Sequence, residues 1–454
     1  MNAFKTNIPW GCLTATFRDA ITICRRLGIY FLWIDSLCII QDSDEDWKDQ
    51  AGQMADIYEN AYLTLAATKS RDGSGGCFAE TDTKYIAKLV PGYQHIFVRQ
   101  EVPRFPSNWA DFEPPAGRHG DWPLLNRAWV YQEMRLSPRV LHFCAEEAVW
   151  VCRTVQRSES GCNDADFKHN AIYELSGSHS STPYWLLQGK PRLLWYRTVE
   201  EYSRLQLTFE SDKMPALAGL AQRVGSLRPG DRYIAGMWEA SLVLDMLWRA
   251  GSLSGPGRSG MVGCPSWSWA RVKGQVSWDY KIDTVFASVK VRGICHVSRG
   301  WRASFAEISP GTAITIETPA MDSRPLLAEH YLENSSAGVF GIPAGTEIPV
   351  EELLILGYKI DNIPRDCHDP LDLSGYILPL GFDAKEHLKF SGIHVRRIAG
   401  SETYERVGHV EISHPSILRG EPDTQERMRQ DRSEDGRKLR ETIEGLPAST
   451  FVLV

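Results

Sequence analysis

The sequence lacks the features that mark several large classes of protein. No long block of lysines and arginines occurs in its 454 residues, and the formal net charge is -7. Nucleic acid is therefore not a predicted partner, because binding to it depends on neutralising phosphates. No run approaches the roughly 18 uninterrupted apolar residues of a membrane-spanning helix, and the N-terminus has no signal-peptide core. We expect a cytoplasmic protein with protein or small-molecule partners.

Signatures of common catalytic and metal sites are also missing. The sequence has no His-Glu-x-x-His, no Gly-x-Ser-x-Gly, no Walker-type loop and no Gly-x-Gly-x-x-Gly after a strand. Its 10 cysteines include no Cys-x-x-Cys pair, and His142 near Cys144 and Cys367 beside His368 have no matching second pair. The cysteines are expected to be reduced and mostly buried, and no metal site is predicted.

The first 70 residues have an α/β pattern. Apolar positions spaced by three and four predict a helix that starts at Thr16, has Thr16 and Asp19 as a capping box and ends at Gly28. The aromatic and β-branched run Ile29–Ile34 predicts a strand buried on both faces of a parallel sheet.

The next segments continue this alternation. A second capping box, Ser43 with Asp46, opens a predicted helix, and Tyr62–Ala67 predicts another strand. A strand, a helix and a strand in succession require a parallel sheet with helices on its faces. Farther on, Arg139–Cys144 and Ala148–Cys152 predict a hairpin.

Three regions follow from changes of pattern along the chain. We predict a parallel-sheet α/β domain over residues 1–155, a helical region over 156–262 that includes helical periodicity from Tyr233 to Leu247, and a β-rich region over 263–454. Within the last region, residues 421–444 mix both charges with few apolar residues, which is typical of a solvated helix or a disordered insert.

Two long blocks carry a family resemblance, and three shorter pieces agree with them. The long blocks are LWIDSLCIIQD at 32–42, with MADIY at 54–58, and LNRAWVYQE at 125–133, with LSPR at 136–139. The shorter pieces are DKMPALAG at 212–219, PSWSW at 265–269 and YERVG at 404–408. Together they closely resemble the fungal heterokaryon-incompatibility (HET) family.

The resemblance implies a fold similar to the TIR domain, which works by self-association or, in some members, by cleaving NAD. Family members normally begin with a further strand that ends in a Ser-x-x-Trp-Gly-like motif, and this motif is not found upstream of Thr16. We therefore expect a TIR-like parallel sheet in which the first strand is missing.

The segment that leaves the first predicted strand is a candidate ligand site or interface. Ligands bind outside the carboxyl ends of parallel strands, which would place Asp35, Cys38 and Gln41 at a crevice. In the alternative interpretation, Asp35 braces its own turn through backbone hydrogen bonds, and Cys38 is a small buried apolar residue.

The second block supplies the remaining candidates. Trp129 and Glu133 share a helix face, and their spacing resembles that around the catalytic glutamate of NAD-cleaving TIR domains. A carboxylate there would stabilise the oxocarbenium character that develops when the nicotinamide–ribose bond breaks. Arg127 is a candidate phosphate contact, and Gln132 is a further ligand or interface candidate. In the alternative, Glu133 only pairs with neighbouring arginines and Trp129 is core.

The function implied by the resemblance is self/non-self recognition that leads to programmed cell death, through self-association of the HET module into a homo-oligomer. The first alternative is an NAD-hydrolysing enzyme that uses Glu133, with NAD as a substrate. The second alternative is a degenerate, inactive scaffold.

Overall fold

The computed structural model describes residues 6–106, 122–166, 189–251, 257–258, 263–295, 303–323, 354–360, 374–383, 390–413 and 437–454. The chain divides into two compact units. The first unit comprises residues 1–194 and 205–227, and the second comprises 195–204 and 228–454.

The described elements are short helices and many strands. The α-helices are α1 Ala15–Arg26, α2 Asp35–Cys38, α3 Asp44–Glu59, α4 Ala128–Leu136, α5 Pro191–Tyr202, α6 Pro215–Ser226, α7 Leu242–Asp245 and α8 Ala303–Ala306. Turns of 3-10 helix span Trp10–Cys12, Pro123–Asn126, Glu210–Lys213, Glu239–Ser241 and Trp269–Arg271. The strands are β1 Thr64–Ala66, β2 Lys88–Leu89, β3 Phe97–Val98, β4 Arg139–Phe143, β5 Ala148–Cys152, β6 Val155–Ser158, β7 Ala165–Asp166, β8 Tyr233–Ile234, β9 Met237–Trp238, β10 Arg249–Ala250, β11 Gly257–Arg258, β12 Val272–Lys273, β13 Val276–Ser277, β14 Thr284–Val285, β15 Lys290–Cys295, β16 Ala313–Pro319, β17 Met321–Asp322, β18 Leu354–Ile360, β19 Tyr376–Phe382, β20 Phe390–Arg397, β21 Tyr404–Ser413 and β22 Ala448–Leu453.

The main sheet of the first unit has the order β1-β4-β5-β6-β7. Strand β1 runs parallel to β4, with Thr64 opposite Val140, whereas the other neighbours are antiparallel. Because β1 and β4 are parallel and α4 precedes β4, the chain makes a β-α-β crossover there. The α/β class predicted for the N-terminal region is confirmed, but only one of its described strand pairs is parallel.

The strand predicted at Ile29–Ile34 does not form. This segment has no regular secondary structure, and the side chains of Tyr30 and Phe31 are each 92% exposed. Hydrophobic, β-branched sequence specifies a strand only where a neighbouring strand pairs with its backbone, and no described strand pairs here. The predicted crossover through α3 is therefore wrong, and the crossover through α4 takes its place.

The start of α1 differs from the predicted capping box. Thr14 is the N-cap and accepts a hydrogen bond from the backbone N–H of Phe17. The side chains of Thr16 and Asp19 instead accept hydrogen bonds from the backbone N–H groups of Gly76 and Cys77, at 3.1 and 2.8 Å. Thr16 and Asp19, predicted as a capping box, therefore hold the glycine-rich turn at residues 73–76 against α1.

A pair of glycine substitutions tests the packing of this turn. Gly28 and Gly76 both have φ of +68°, but a Cβ on Gly28 meets nothing within 4 Å, whereas on Gly76 it lies 2.7 Å from Asp19 Oδ2. We expect Gly28→Ala to destabilise the unit by about 1 kcal/mol, through backbone strain alone. Gly76→Ala is expected to destabilise the unit by about 1–2 kcal/mol more than Gly28→Ala, because it also displaces the Asp19 side chain. Urea unfolding measures both, and equal losses would show that the turn does not depend on Asp19.

The second unit is β-rich, as the sequence predicts for its C-terminal part. Its largest sheet has the order β14-β19-β20-β21-β22-β16-β15, with β17 beside β19 and β18 beside β21. Of the charged stretch 421–444, the structure describes only 437–444. Those residues lie in a helical segment, 437–445, whose Leu439 and Ile443 are buried one turn apart. This part is therefore helical, which is one of the two predicted alternatives, but two of its side chains are buried and not solvated.

The helix predicted from Tyr233 to Leu247 forms only near its end, as α7. Strands β8 and β9 form a hairpin, with φ of 48° at Ala235 and 88° at Gly236 in its turn. The carbonyl oxygen of Gly236 accepts the indole N–H groups of Trp195 and Trp269, at 2.9 and 2.8 Å. Glycine is a poor helix former, and the carbonyl oxygen of Gly236 bonds to two distant tryptophans. A turn therefore forms where the apolar periodicity predicts a helix.

Candidate functional site

The segment after Ile34 is a short helical turn. Asp35 begins α2, and its Oδ1 accepts a hydrogen bond from the backbone N–H of Ser36 at 2.7 Å. The side-chain amide of Gln41 donates to the carbonyl oxygens of Asp35 and Ile39 at 3.4 and 3.0 Å. Asp35 and Gln41 therefore brace the turn, while the Asp35 side chain stays exposed.

Helix α3 follows this turn. Ser43 is its N-cap, as predicted, and accepts from the backbone N–H of Asp46 at 3.2 Å. The reciprocal bond of a capping box is replaced, because the backbone N–H of Ser43 donates to the carbonyl oxygen of Ile40 at 3.1 Å. The Asp46 carboxylate accepts from the backbone N–H of Ile40 at 2.7 Å, which ties the turn to the helix. Near the end of α3, the ring of Tyr58 packs edge-to-face against Trp33 with centroids 5.7 Å apart.

Helix α4 brings Glu133 to the hydroxyl group of Tyr58. The Tyr58 hydroxyl and the Glu133 carboxyl form a hydrogen bond, and the charges of Asp35 and Arg127 act on both groups. These four residues are named the carboxyl cluster. The structure thus brings together Asp35, Arg127 and Glu133, which the sequence proposes from two separate blocks.

The electrostatics of the carboxyl cluster favour a protonated Glu133. The residue as a whole is only half-buried, but burial of its carboxyl group raises its pKa to about 7. The hydrogen bond from Tyr58 opposes that rise, the Asp35 carboxylate adds to it, and the Arg127 guanidinium opposes it. Burial and the Glu133 charge raise the pKa of Tyr58 well above its ordinary value. A carboxyl group that titrates near neutral pH can donate or accept a proton there.

The other proposed site residues are directed away from this cluster. The indole N–H of Trp129 donates to Asp212 Oδ2 at 3.1 Å, and its ring meets Trp47 edge-to-face at 6.2 Å. Gln132 is buried, and its Oε1 accepts from the backbone N–H of Gly219 at 2.8 Å. Cys38 is exposed, so its interpretation as a buried apolar residue is wrong.

Tyr58 is the residue of the cluster that sequence reasoning misses. The periodicity of α3 predicts it as one of several apolar core positions. The available signal was its place at the end of the MADIY block, because a buried phenol normally requires a hydrogen-bond partner.

The described histidines, cysteines and carboxylates form no metal site. Among the described residues, no group of three or more His, Cys, Asp or Glu side chains is placed to hold a metal ion. His142 is buried and its Nδ1 bonds to Thr68 Oγ1 at 2.9 Å. None of the nine described cysteines is in a disulfide, and Cys12, Cys38, Cys162 and Cys295 are exposed. The expectation of mostly buried thiols is therefore only partly met, and Cys367 lies outside the described residues.

A pH-dependent stability difference tests the state of Glu133. Its folded pKa of about 7 exceeds the ordinary 4.5, so the folded state binds more protons than the unfolded state between these values. Stability therefore falls as pH rises from about 4.5 to about 7. Glu133→Gln cannot ionise and is expected to exceed the parent by about 1–3 kcal/mol at about pH 8, with little difference near pH 4.

Denaturant unfolding across this pH range measures the difference between parent and variant. Burial also raises the pKa of Glu200 to about 7 and that of Asp245 to about 6. These two groups change the stability of parent and variant alike, so the difference between the two proteins isolates Glu133. The exposed Glu45→Gln change on α3 is the control. A Glu133→Gln curve parallel to the parent curve would contradict the proposed burial of the carboxyl group.

Comparison with known proteins agrees with the sequence resemblance. In the structure, no helix among the residues described is long and apolar enough to cross a membrane. Searches of curated proteins and of solved structures find no match to this chain. Residues 2–133, which include every member of the carboxyl cluster, match the family model described as Heterokaryon incompatibility protein (HET). This segment of the chain is therefore similar to the heterokaryon incompatibility domain, in agreement with the two long blocks at 32–58 and 125–133.

Proposed function

We propose that this protein signals heterokaryon incompatibility in the cytoplasm through self-association of its HET module, and that the assembled module triggers cell death. In this proposal residues 1–155 form a TIR-like signalling module, for which the parallel β1/β4 crossover is the support. Residues 156–262 and 263–454 regulate the module or sense the non-self partner. The observation that carries the proposal is the exposure of Tyr30 and Phe31, each at 92%.

Exposed aromatic residues of this kind favour a protein partner. Tyr30 and Phe31 lie in a run with the composition of a buried strand. Tyr62, close to the edge strand β1, is 70% exposed as well. Burial of one such side chain stabilises a contact by about 1.5–3 kcal/mol. A second copy of the same surface would cover these groups with matching apolar groups, as in an isologous dimer.

Sedimentation of the full chain over a concentration series tests self-association. The parent is expected to form oligomers that dissociate on dilution, whereas the double variant Tyr30→Ser, Phe31→Ser remains monomeric. Phe209→Ser is the control, because Phe209 is 66% exposed in the first unit and should not alter the oligomer.

Expression in a fungal host tests the biological part of the proposal. Growth arrest is expected with the parent and the control, and normal growth with the double variant at equal protein levels. A monomeric parent, or arrest by a monomeric double variant, would refute self-association as the mechanism.

A second candidate function is hydrolysis of NAD, and the carboxyl cluster favours it. The nicotinamide would leave C1′ of the ribose with the bonding electron pair, and water would add to C1′ and lose a proton. An ionised Glu133 beside Arg127 would stabilise the positive charge on the ribose, and Arg127 would face a phosphate. Because this requires the carboxylate, the rate should rise with pH through about 7.

Release of free nicotinamide from NAD by the purified full chain tests this candidate. We expect Glu133→Gln to abolish release and Glu45→Gln to leave it unchanged. No release by the parent, or equal release by Glu133→Gln, would remove the enzymatic candidate and leave the self-association proposal standing.

A further inference from the structure

We propose that the hairpin formed by β2 and β3 binds the surface of a membrane that carries anionic lipids. The hairpin belongs to the first unit and spans residues 83–100. It contains six of the seventeen large hydrophobic side chains that are exposed among the described residues. These six are Ile86, Leu89, Tyr93, Ile96, Phe97 and Val98.

The apolar side chains occupy both faces of the hairpin. Leu89 lies opposite Phe97, and Lys88 lies opposite Val98. Because side chains alternate along a strand, Leu89 and Phe97 share one face, and Val98 lies on the other face with Ile96. A docked protein would cover one face, whereas the interfacial layer of a bilayer surrounds an inserted element on all sides. This distribution favours a lipid surface.

The charge of the hairpin is opposite to that of the chain. Residues 83–100 contain Lys84, Lys88 and Arg99 and no aspartate or glutamate, whereas the formal net charge of the chain is -7. Lys84 is paired with Asp82 just outside the hairpin, at 3.0 Å. Anionic headgroups attract basic residues beside inserted apolar groups, and each such residue strengthens binding about fivefold. A basic, apolar hairpin in an acidic chain is suited to such a surface.

The base of the hairpin is held in place. The backbone N–H of Gln100 donates to the carbonyl oxygen of Lys84 at 2.8 Å. The Arg99 guanidinium donates to the carbonyl oxygen of Ser160 at 3.1 Å, in the turn between β6 and β7. The apolar tip, with Tyr93 beside Gly92, therefore projects from a fixed base, which limits the ordering needed on binding.

Flotation of the full chain with lipid vesicles tests the proposal. We expect binding to phosphatidylcholine vesicles that contain phosphatidylserine, weaker binding at high salt and little binding to phosphatidylcholine alone. The double variant Ile96→Ser, Phe97→Ser should lower the affinity at least about tenfold. Lys88→Glu should lower it severalfold, and Phe209→Ser should not change it.

The proposal would be overturned if the parent did not bind anionic vesicles, or if the Ile96→Ser, Phe97→Ser variant bound them as tightly as the parent. It would also be overturned if that variant still bound vesicles but no longer formed oligomers. The last result would assign the hairpin to a second copy of the chain. Circular dichroism checks that each variant is folded. The Tyr30→Ser, Phe31→Ser variant should still bind vesicles, so failure of self-association and failure of lipid binding are distinguishable.

Discussion

Replacement of Arg406 with leucine is expected to destabilise the second unit by about 2–5 kcal/mol. Arg406 is only 3% exposed, and its guanidinium group donates to the carbonyl oxygens of Met246 and Trp248. It also lies 3.5 Å from the centre of the Trp248 ring. Leucine removes both donors and the cation–π contact, and each buried carbonyl left without a partner costs about 1–3 kcal/mol.

The matched control is Arg397→Leu on the same sheet. The Arg397 side chain is 54% exposed and pairs with Glu402 at the surface, so its loss should change stability by less than about 1 kcal/mol. Denaturant unfolding followed by tryptophan fluorescence measures both variants, because several fully buried tryptophans, among them Trp195, Trp248 and Trp267, lie in this unit. Similar losses in the two variants would contradict a structural role for Arg406.

The surroundings of Arg406 give a structural role to two of the shorter motifs, PSWSW and YERVG. The backbone N–H of Arg406, in YERVG, donates to Ser266 Oγ, in PSWSW, at 2.9 Å. The indole N–H of Trp248 donates to the carbonyl oxygen of Trp267 at 2.9 Å. Both motifs therefore contribute to the core of the second unit.

Capping residues and alternating polarity predict the elements whose hydrogen bonds form within one segment of the chain. The capping serine of α3 and the alternation of Arg139–Cys144 and Ala148–Cys152 specify elements that are completed within one short segment of the chain. The Ile29–Ile34 and Tyr233–Leu247 predictions fail for a different reason. Each depends on a distant partner, either a neighbouring strand or the indoles that bind Gly236, and composition does not encode where that partner lies.

The candidate site is likewise predictable only in part from the sequence. Asp35, Arg127 and Glu133 are found through motifs, and the structure brings them together. Their electrostatic state is not predictable, because the pKa of Glu133 depends on burial and on Tyr58, which is 75 positions away in the sequence. Trp129 and Gln132 share the same motif, but they bind Asp212 and Gly219. One block of sequence therefore serves both the site and the helix packing that supports it.

Gly219→Ala is expected to destabilise the first unit by about 2–4 kcal/mol. A Cβ at this position in α6 would lie 2.6 Å from the Cβ of Ala55 in α3 and 2.8 Å from Gln132 Oε1 in α4. Overpacking of a rigid contact costs about 1–3 kcal/mol, and loss of the Gln132 hydrogen bond adds about 1. Since α3 carries Tyr58 and α4 carries Glu133, the same change should separate the two residues and shift the pKa of Glu133.

Two further variants isolate the steric cause. Gly52→Ala, in α3, meets nothing within 4 Å and is expected to stabilise by about 0.5–1 kcal/mol, because alanine favours the helix. In the double variant Ala55→Gly, Gly219→Ala, the methyl group moves from α3 to α6, and most of the lost stability should return. Urea unfolding measures all three. If the double variant is no more stable than Gly219→Ala, close approach of α6 to α3 is not the reason that this position is glycine.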